Sequence, residues 1–167
     1  RGGSRWRSDV ELHNPGAEPV DCGLELVLRG EDGLEPERVE VTVGAGRSVR
    51  MPDVVADRFD GQGAGVLTIR PSGSGAVAVS SRTFSEDPAG SYGQVVPGLR
   101  AADAIHVFET GRLIQLRHSP HRTDGFRTNL GLLNITGIEV EILIELFDSD
   151  GTSLGSGTTV LLPFEHH

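Results

Sequence analysis

The chain has 167 residues, with 15 arginines, no lysine and 24 Asp and Glu, for a formal net charge of −9. That balance excludes a duplex nucleic-acid binder, which needs a net positive face to neutralise phosphates. The single Cys22 excludes an internal disulfide framework and a multi-cysteine zinc site, and no apolar run approaches the roughly 18 residues of a membrane span.

Along the chain the hydrophobic pattern has period two rather than 3.6. Residues 8–13 open the series. In 20–28, Val20, Cys22, Leu24, Leu26 and Leu28 alternate with Asp21, Gly23 and Glu25. Shorter strand candidates follow at 38–43, 47–51, 64–70, 76–84, 104–108, 112–117 and 127–133. Residues 138–146 repeat the long alternation, with Ile138, Val140, Ile142, Ile144 and Leu146 set against Glu139, Glu141 and Glu145, and 157–162 closes the series. Such alternation puts one face on a core and one in water, as in antiparallel sheets. Between the candidates stand Asn14-Pro15-Gly16, Asp32-Gly33, Gly44-Ala45-Gly46, Pro71-Ser72-Gly73 and Asp150-Gly151, which is turn chemistry. Only 53–59 reads as a helical turn, with Asp53 as its cap. Many short strands with regular turns predict an all-β antiparallel sandwich.

The chain also repeats itself. Trp6-Arg7-Ser8-Asp9-Val10-Glu11-Leu12-His13-Asn14 matches Phe126-Arg127-Thr128-Asn129-Leu130-Gly131-Leu132-Leu133-Asn134 without a gap, at an offset of about 120. In that register Val20, Cys22, Leu24 and Leu26 fall on Val140, Ile142, Ile144 and Leu146. After a small length change, Asp32-Gly33 falls on Asp150-Gly151, and Val41 and Val43 on Val160 and Leu162. A period this long fits whole tandem domains. The expectation is therefore one immunoglobulin-like unit over 1–100 and a second over 101–167. The second stops at about position 48 of the first, so it reads as incomplete or as completed by another segment. Starting at Arg1, the chain reads as a processed product or a fragment.

The stretches Trp6 to Pro15, Ser81-Arg82-Thr83-Phe84-Ser85, Gly90-Ser91-Tyr92-Gly93-Gln94-Val95-Val96-Pro97-Gly98 and Phe126 to Asn134 carry a resemblance. Their order is similar to that in secreted repeat proteins of Acidobacteria and related bacteria, whose activity is uncharacterised. Gly111-Arg112-Leu113-Ile114-Gln115-Leu116 also fits; Phe84-Ser85 stands where Tyr-Asn is usual. The resemblance implies immunoglobulin-like sandwich modules in exported multi-domain proteins and implies no catalytic residues.

Candidate chemistry is sparse. Gly151-Thr152-Ser153-Leu154-Gly155 matches the nucleophile-elbow pattern, but no helical periodicity follows Ser153, so a hairpin loop is expected. Asp148-Ser149-Asp150 resembles the opening of a calcium loop, and Asp148 and Asp150 are the weak metal candidates. The bidentate Glu expected further on would be Thr159, which favours a plain turn. His118 and His121 are close in sequence but lack further converging ligands. Cys22 lies at the register of Ile142 and reads as a small buried hydrophobe. The recurrent Trp6, Arg7, Asp9 and Phe126, Arg127, Asn129 are the interaction or structural candidates. An arginine there is expected to sit at the end of the sandwich and pair with a carboxylate of the opposite sheet.

These readings lead to a non-catalytic, extracellular or cell-surface (or periplasmic) β-sandwich module with no cofactor. It would meet a protein partner or a neighbouring copy through strand edges, and an assembly or filament subunit is one variant. The alternative is a carbohydrate-binding or accessory domain of a secreted hydrolase.

Overall fold

The computed structural model describes residues 6–61, 63–87, 90–119, 126 and 128–167. Its strands are β1 (Trp6–His13), β2 (Val20–Leu28), β3 (Glu37–Val43), β4 (Ser48–Met51), β5 (Gly65–Pro71), β6 (Ala78–Asp87), β7 (Gly90–Pro97), β8 (Val140–Phe147) and β9 (Ser153–Leu161). Among the described residues one short helix, α1 (Val54–Phe59), joins β4 to β5, and a single 3-10 turn spans Ala101–Asp103. Strand orders are β4-β1-β6-β7, β3-β2-β5 and β8-β9, and every pairing is antiparallel. The chain is all-β, as the period-two pattern predicts.

The first two sheets share one core. Val10 and Leu12 of β1 and Met51 of β4 meet Val20, Cys22, Leu24 and Leu26 of β2 and Val41 and Val43 of β3. Val54 and Phe59 of α1 close one end, and Leu67, Ile69 and Val79 pack against the cluster. The β1, β2 and β3 members are the apolar positions of period-two alternations. Burying side chains of this size contributes about 1.5–3 kcal/mol apiece, which holds the two layers together. Cys22 is fully buried, and burial, then the nearby Asp21 and Glu40 charges, push its thiol above its ordinary pKa. It packs as a hydrophobe.

Several expectations need correction. Residues 104–108, 112–117 and 127–133 form no strand among the described residues, apart from one isolated bridge between Leu133 and His166. Alternation sets which face a strand would show, but a strand needs a partner for its backbone groups. The unexpected strand is β7, whose two glycines and terminal proline hid it. Asp53 does precede α1, but at φ 45° and without a side-chain bond to the helix. Its backbone N–H instead donates to Oδ1 of Asp9, 3.1 Å away.

The hairpin β8–β9 corresponds to β2–β3, with one shift. Val20 pairs with Val43 and Cys22 with Val41, whereas Val140 pairs with Leu161 and Ile142 with Thr159. Val43 therefore corresponds to Leu161 rather than Leu162, and Val41 to Thr159 rather than Val160. A one-residue change of register exchanges faces, and Val43 and Leu161 are both fully buried. The turn glycines differ as well. Gly151 holds φ +83° and Gly30 holds φ +81°, while Gly33 needs no positive φ and is buried against the C-terminal segment. There the Gly33 amide donates to the carbonyl of Pro163 at 2.9 Å.

Candidate functional site

The repeated aromatic-Arg-(Ser/Thr)-(Asp/Asn) motif begins β1. Its side chains split by parity: Val10 and Leu12 enter the core, so Arg7, Asp9 and Glu11 face outward. The cross-strand row of Arg7 contains Phe84 of β6 and Gly93 of β7. Phe84 also faces outward, yet it is only 5% exposed. Two guanidiniums cover it, Arg7 with Cζ 4.8 Å from the ring centroid and Arg82 at 4.5 Å. Gly93 lies beneath Phe84, where an added Cβ would come within 2.4 Å of Phe84 Cβ.

Arg7 forms an ion pair with Glu86, and Arg82 donates to the Ser91 hydroxyl at 2.8 Å. Glu86 stands on β6, next to β1 in the same sheet, so the carboxylate partner expected from the opposite sheet comes from the neighbouring strand. The reason is parity: an outward-facing arginine cannot reach across the core. Two residues on, Asp9 accepts from Arg50 at 2.7 Å and from the Asp53 amide. The Arg50 hydrogen bond holds the Asp9 carboxyl below its ordinary pKa against the opposing effect of desolvation. Asp9, Arg50, Arg82 and Val95 also line an open groove of about 150 Å³. A larger groove of about 370 Å³ runs between Pro15, Glu18 and Val20 and the loop at Ser74 and Ala76.

Trp6 projects to the other face of the sheet. It pairs with Ser85, which pairs with Tyr92, so all three share one row and one face. Trp6 and Tyr92 are each 57% exposed, while Ser85 between them is buried. The two aromatics lie two interstrand spacings apart, roughly 9–10 Å.

Among its described residues, the second motif does not rebuild this arrangement. Phe126 is exposed and meets the guanidinium of Arg117 at 5.2 Å. Thr128 Oγ1 accepts from the Arg117 amide at 3.0 Å and donates to its carbonyl at 3.1 Å. Asn129 is exposed, and Arg127 lies outside the described residues. What does recur is Asn14 with Asn134, both buried. Nδ2 of Asn14 donates to the carbonyls of Glu18 (2.7 Å) and Val43 (3.0 Å), and its Oδ1 accepts from the Gly16 amide. Nδ2 of Asn134 donates to Ile138 (2.7 Å) and Leu162 (2.8 Å), and its Oδ1 accepts from the Thr136 amide.

The remaining candidates are turn residues. Oδ1 of Asp148 accepts from the amides of Asp150 (2.9 Å) and Thr152 (2.8 Å), so that oxygen holds the β8–β9 turn. Ser153 begins β9 opposite Phe147, and the backbone after it stays extended, so no strand-to-helix elbow forms. His118 is exposed and His121 lies outside the described residues. Among the described residues no three His, Cys, Asp or Glu side chains converge on a metal-sized site. His166 is half-buried; Nδ1 has no hydrogen-bond partner among the described residues, and burial, with Arg29 and His167 behind it, lowers its pKa.

The missed contributors are Phe84, Arg82, Glu86 and Arg50. The parity of Ser81-Arg82-Thr83-Phe84 against Val79 carried the signal for the first two. The fold and this surface define an antiparallel β protein with a two-layer core and a polar, arginine-stacked outer face. Comparison with family models, curated proteins and solved structures returns no match to this chain.

Proposed function

We propose that the chain is a non-catalytic, extracellular β-sandwich module that acts as a structural or interaction element through its strand edges. It is built as tandem immunoglobulin-like units over 1–100 and 101–167, in line with the recurrent motifs and the resemblance they carry. The supporting observation is the contrast between the two halves. Val20, Cys22, Leu24 and Leu26 are buried, whereas at the matching positions Ile144 and Leu146 are exposed and Val140 and Ile142 only half-buried. β7 is also an edge strand exposed along its whole length. A rigid layer pair bearing open edges is suited to meeting another chain.

Mass photometry with intact-mass measurement over a concentration series tests the assembly-subunit variant. Species larger than one chain are expected, and a monomer at every concentration overturns that variant. Labelling of Ser153 by an activity-based serine probe would overturn the non-catalytic reading itself.

The Trp6–Ser85–Tyr92 row favours one second reading, a carbohydrate-binding or hydrolase-accessory module. Two exposed rings on one face offer apolar faces, and the Tyr92 hydroxyl a polar handle, to a glycan. A glycan array with wild type and the Trp6→Ala, Tyr92→Ala double variant decides it; no binding by wild type removes this reading.

A further inference from the structure

We propose that the open edge of β8 accepts an extended strand from another polypeptide, a segment that carries apolar residues on one face and an arginine on the other, as Leu67, Ile69 and Arg70 stand in β5. The proposal rests on the reading of the chain as an interaction module and assigns that role to one edge and one partner chemistry.

The first half supplies the precedent. β2 lies between β3 and β5, whereas β8 pairs with β9 alone among the described residues, so the edge matching the β5 side of β2 is unpaired. An unpaired edge presents a row of backbone N–H and C=O groups that a further strand can satisfy.

Charge then selects the occupant. On the outer face of β2, Glu25 accepts from Arg38 of β3 at 3.2 Å and from Arg70 of β5 at 2.7 Å. Glu145 holds the matching place on β8, and the residue opposite it on β9 is Ser156, where Arg38 stands opposite Glu25. Glu141 lies four residues away on the same face, opposite Val160. No ion pair reaches Glu141 or Glu145 among the described residues. β9 offers no cation there, so an arginine on a strand at the open edge would be the one positioned to pair with these carboxylates. An arginine opposite Leu143 would sit diagonal to both carboxylates, as Arg70 opposite Gly23 sits diagonal to Glu25.

The same charges disfavour a second copy at this edge. Antiparallel β8–β8 pairing centred on Leu143 sets Glu141 of each chain against Glu145 of the other, and like charges directly opposite are destabilising. The partner is therefore a different, arginine-bearing strand.

The probe is a labelled synthetic peptide with the sequence of residues 64–71, Ala-Gly-Val-Leu-Thr-Ile-Arg-Pro, titrated into the full chain by fluorescence anisotropy. Hydrogen exchange then locates it. Binding with new amide protection in β8 is expected. Glu145→Arg, or a peptide with Glu in place of its Arg, should each weaken binding about fivefold. Combining the two should restore it, and Glu145 is exposed, so the variant's circular dichroism should match wild type. Absence of binding, protection in β2 or β7 instead of β8, failure of the charge swap to restore affinity, or concentration-dependent β8 protection without peptide would each overturn the proposal. A monomer that captures the peptide overturns only the assembly variant. A chain that assembles but ignores the peptide overturns only this assignment.

Discussion

Asn14 and Asn134 lie 120 positions apart and make the same buried connection, each holding its own turn with Oδ1 and stapling that turn to the far strand of a hairpin with Nδ2. Each asparagine donates to two backbone carbonyls, and an unmade buried hydrogen bond costs about 1–3 kcal/mol per group. Asn14→Ala is expected to destabilise the first half by about 2–4 kcal/mol, read by urea denaturation. Asn14→Asp should be no better, because a carboxylate keeps the acceptor and loses both donors. Asn134→Ala should leave that transition in place and accelerate amide exchange in β8 and β9. An unaltered midpoint in both Asn14 variants would show that the turn holds without its staple.

The Arg7–Phe84–Arg82 stack makes a different prediction. An outward-facing phenylalanine stays buried only because two guanidiniums cover it and Gly93 leaves room for it. Gly93→Ala forces the added methyl against Phe84 and the Thr83 carbonyl, each 2.4 Å away. Because the close contact includes backbone, β7 should detach from β6 rather than adjust. Exchange protection should fall across 90–97 while the core of Leu24 and Met51 keeps its own. Arg7→Ala should cost about 1 kcal/mol, combining an exposed ion pair with one cation–π contact. A loss several times larger would show that Arg7 supports the core as well.

How far the chain could be read without its structure depended on which physical signal each residue carried. β2 was legible because Val20, Cys22, Leu24 and Leu26 each have an acidic neighbour at Asp21 or Glu25, and β8 nearly so. β7 was not, since Gly93 is a glycine for the sake of Phe84 on the next strand, and that reason is tertiary. Residues 112–117 misled in the opposite sense: Leu113, Ile114 and Leu116 have the composition of a strand, yet they are exposed and unpaired with a ladder. Composition records a preference, whereas a strand also needs a neighbour. That the partner of Arg7 would not lie on the opposite sheet followed from parity, since Arg7, Asp9 and Glu11 are out of phase with Val10 and Leu12, but Glu86 itself follows only from the pairing of β1 with β6. Nothing in the sequence pattern required Asp9 to reach the Asp53 amide, which depends on β4 ending beside β1.

The two halves meet at Gly33. It donates to Pro163 and leaves no room for a side chain, since an added Cβ would lie 2.5 Å from Phe164 Cβ and 2.8 Å from Val27 Cγ2. Gly33→Ala is expected to displace Phe164 and break the Gly33–Pro163 bond without disturbing the sandwich core. The measurable consequence is faster proteolysis beyond position 161 at an unchanged melting transition of the first half. If proteolysis is unchanged, Phe164 swings aside at no cost and this contact does not bind the halves together.

Acidification should loosen the two halves in separate pH ranges, because two groups move in the same direction for different reasons. His166 has its pKa lowered from 6.5 by burial, so folding favours its neutral form. The unfolded segment takes up a proton first. The stability that neutral His166 confers is full above pH 6.5 and is lost as pH falls from there through the lower folded value. Its bridge to Leu133, and the paired amides of Leu132 and His167, should therefore open on mild acidification. Asp9 has its pKa lowered from 3.8 by the Arg50 hydrogen bond, so its contribution is full above 3.8 and is lost only as pH falls through the lower folded value. Amide exchange, corrected for intrinsic pH dependence, should show 132–133 and 166–167 deprotected as pH falls below 6.5, with β1 and β4 retained until it falls below 3.8. His166→Phe should remove the first step and leave the second, and Asp9→Asn should do the reverse. Simultaneous loss of both regions at one pH, in wild type and in both variants, would show that neither titration governs its half.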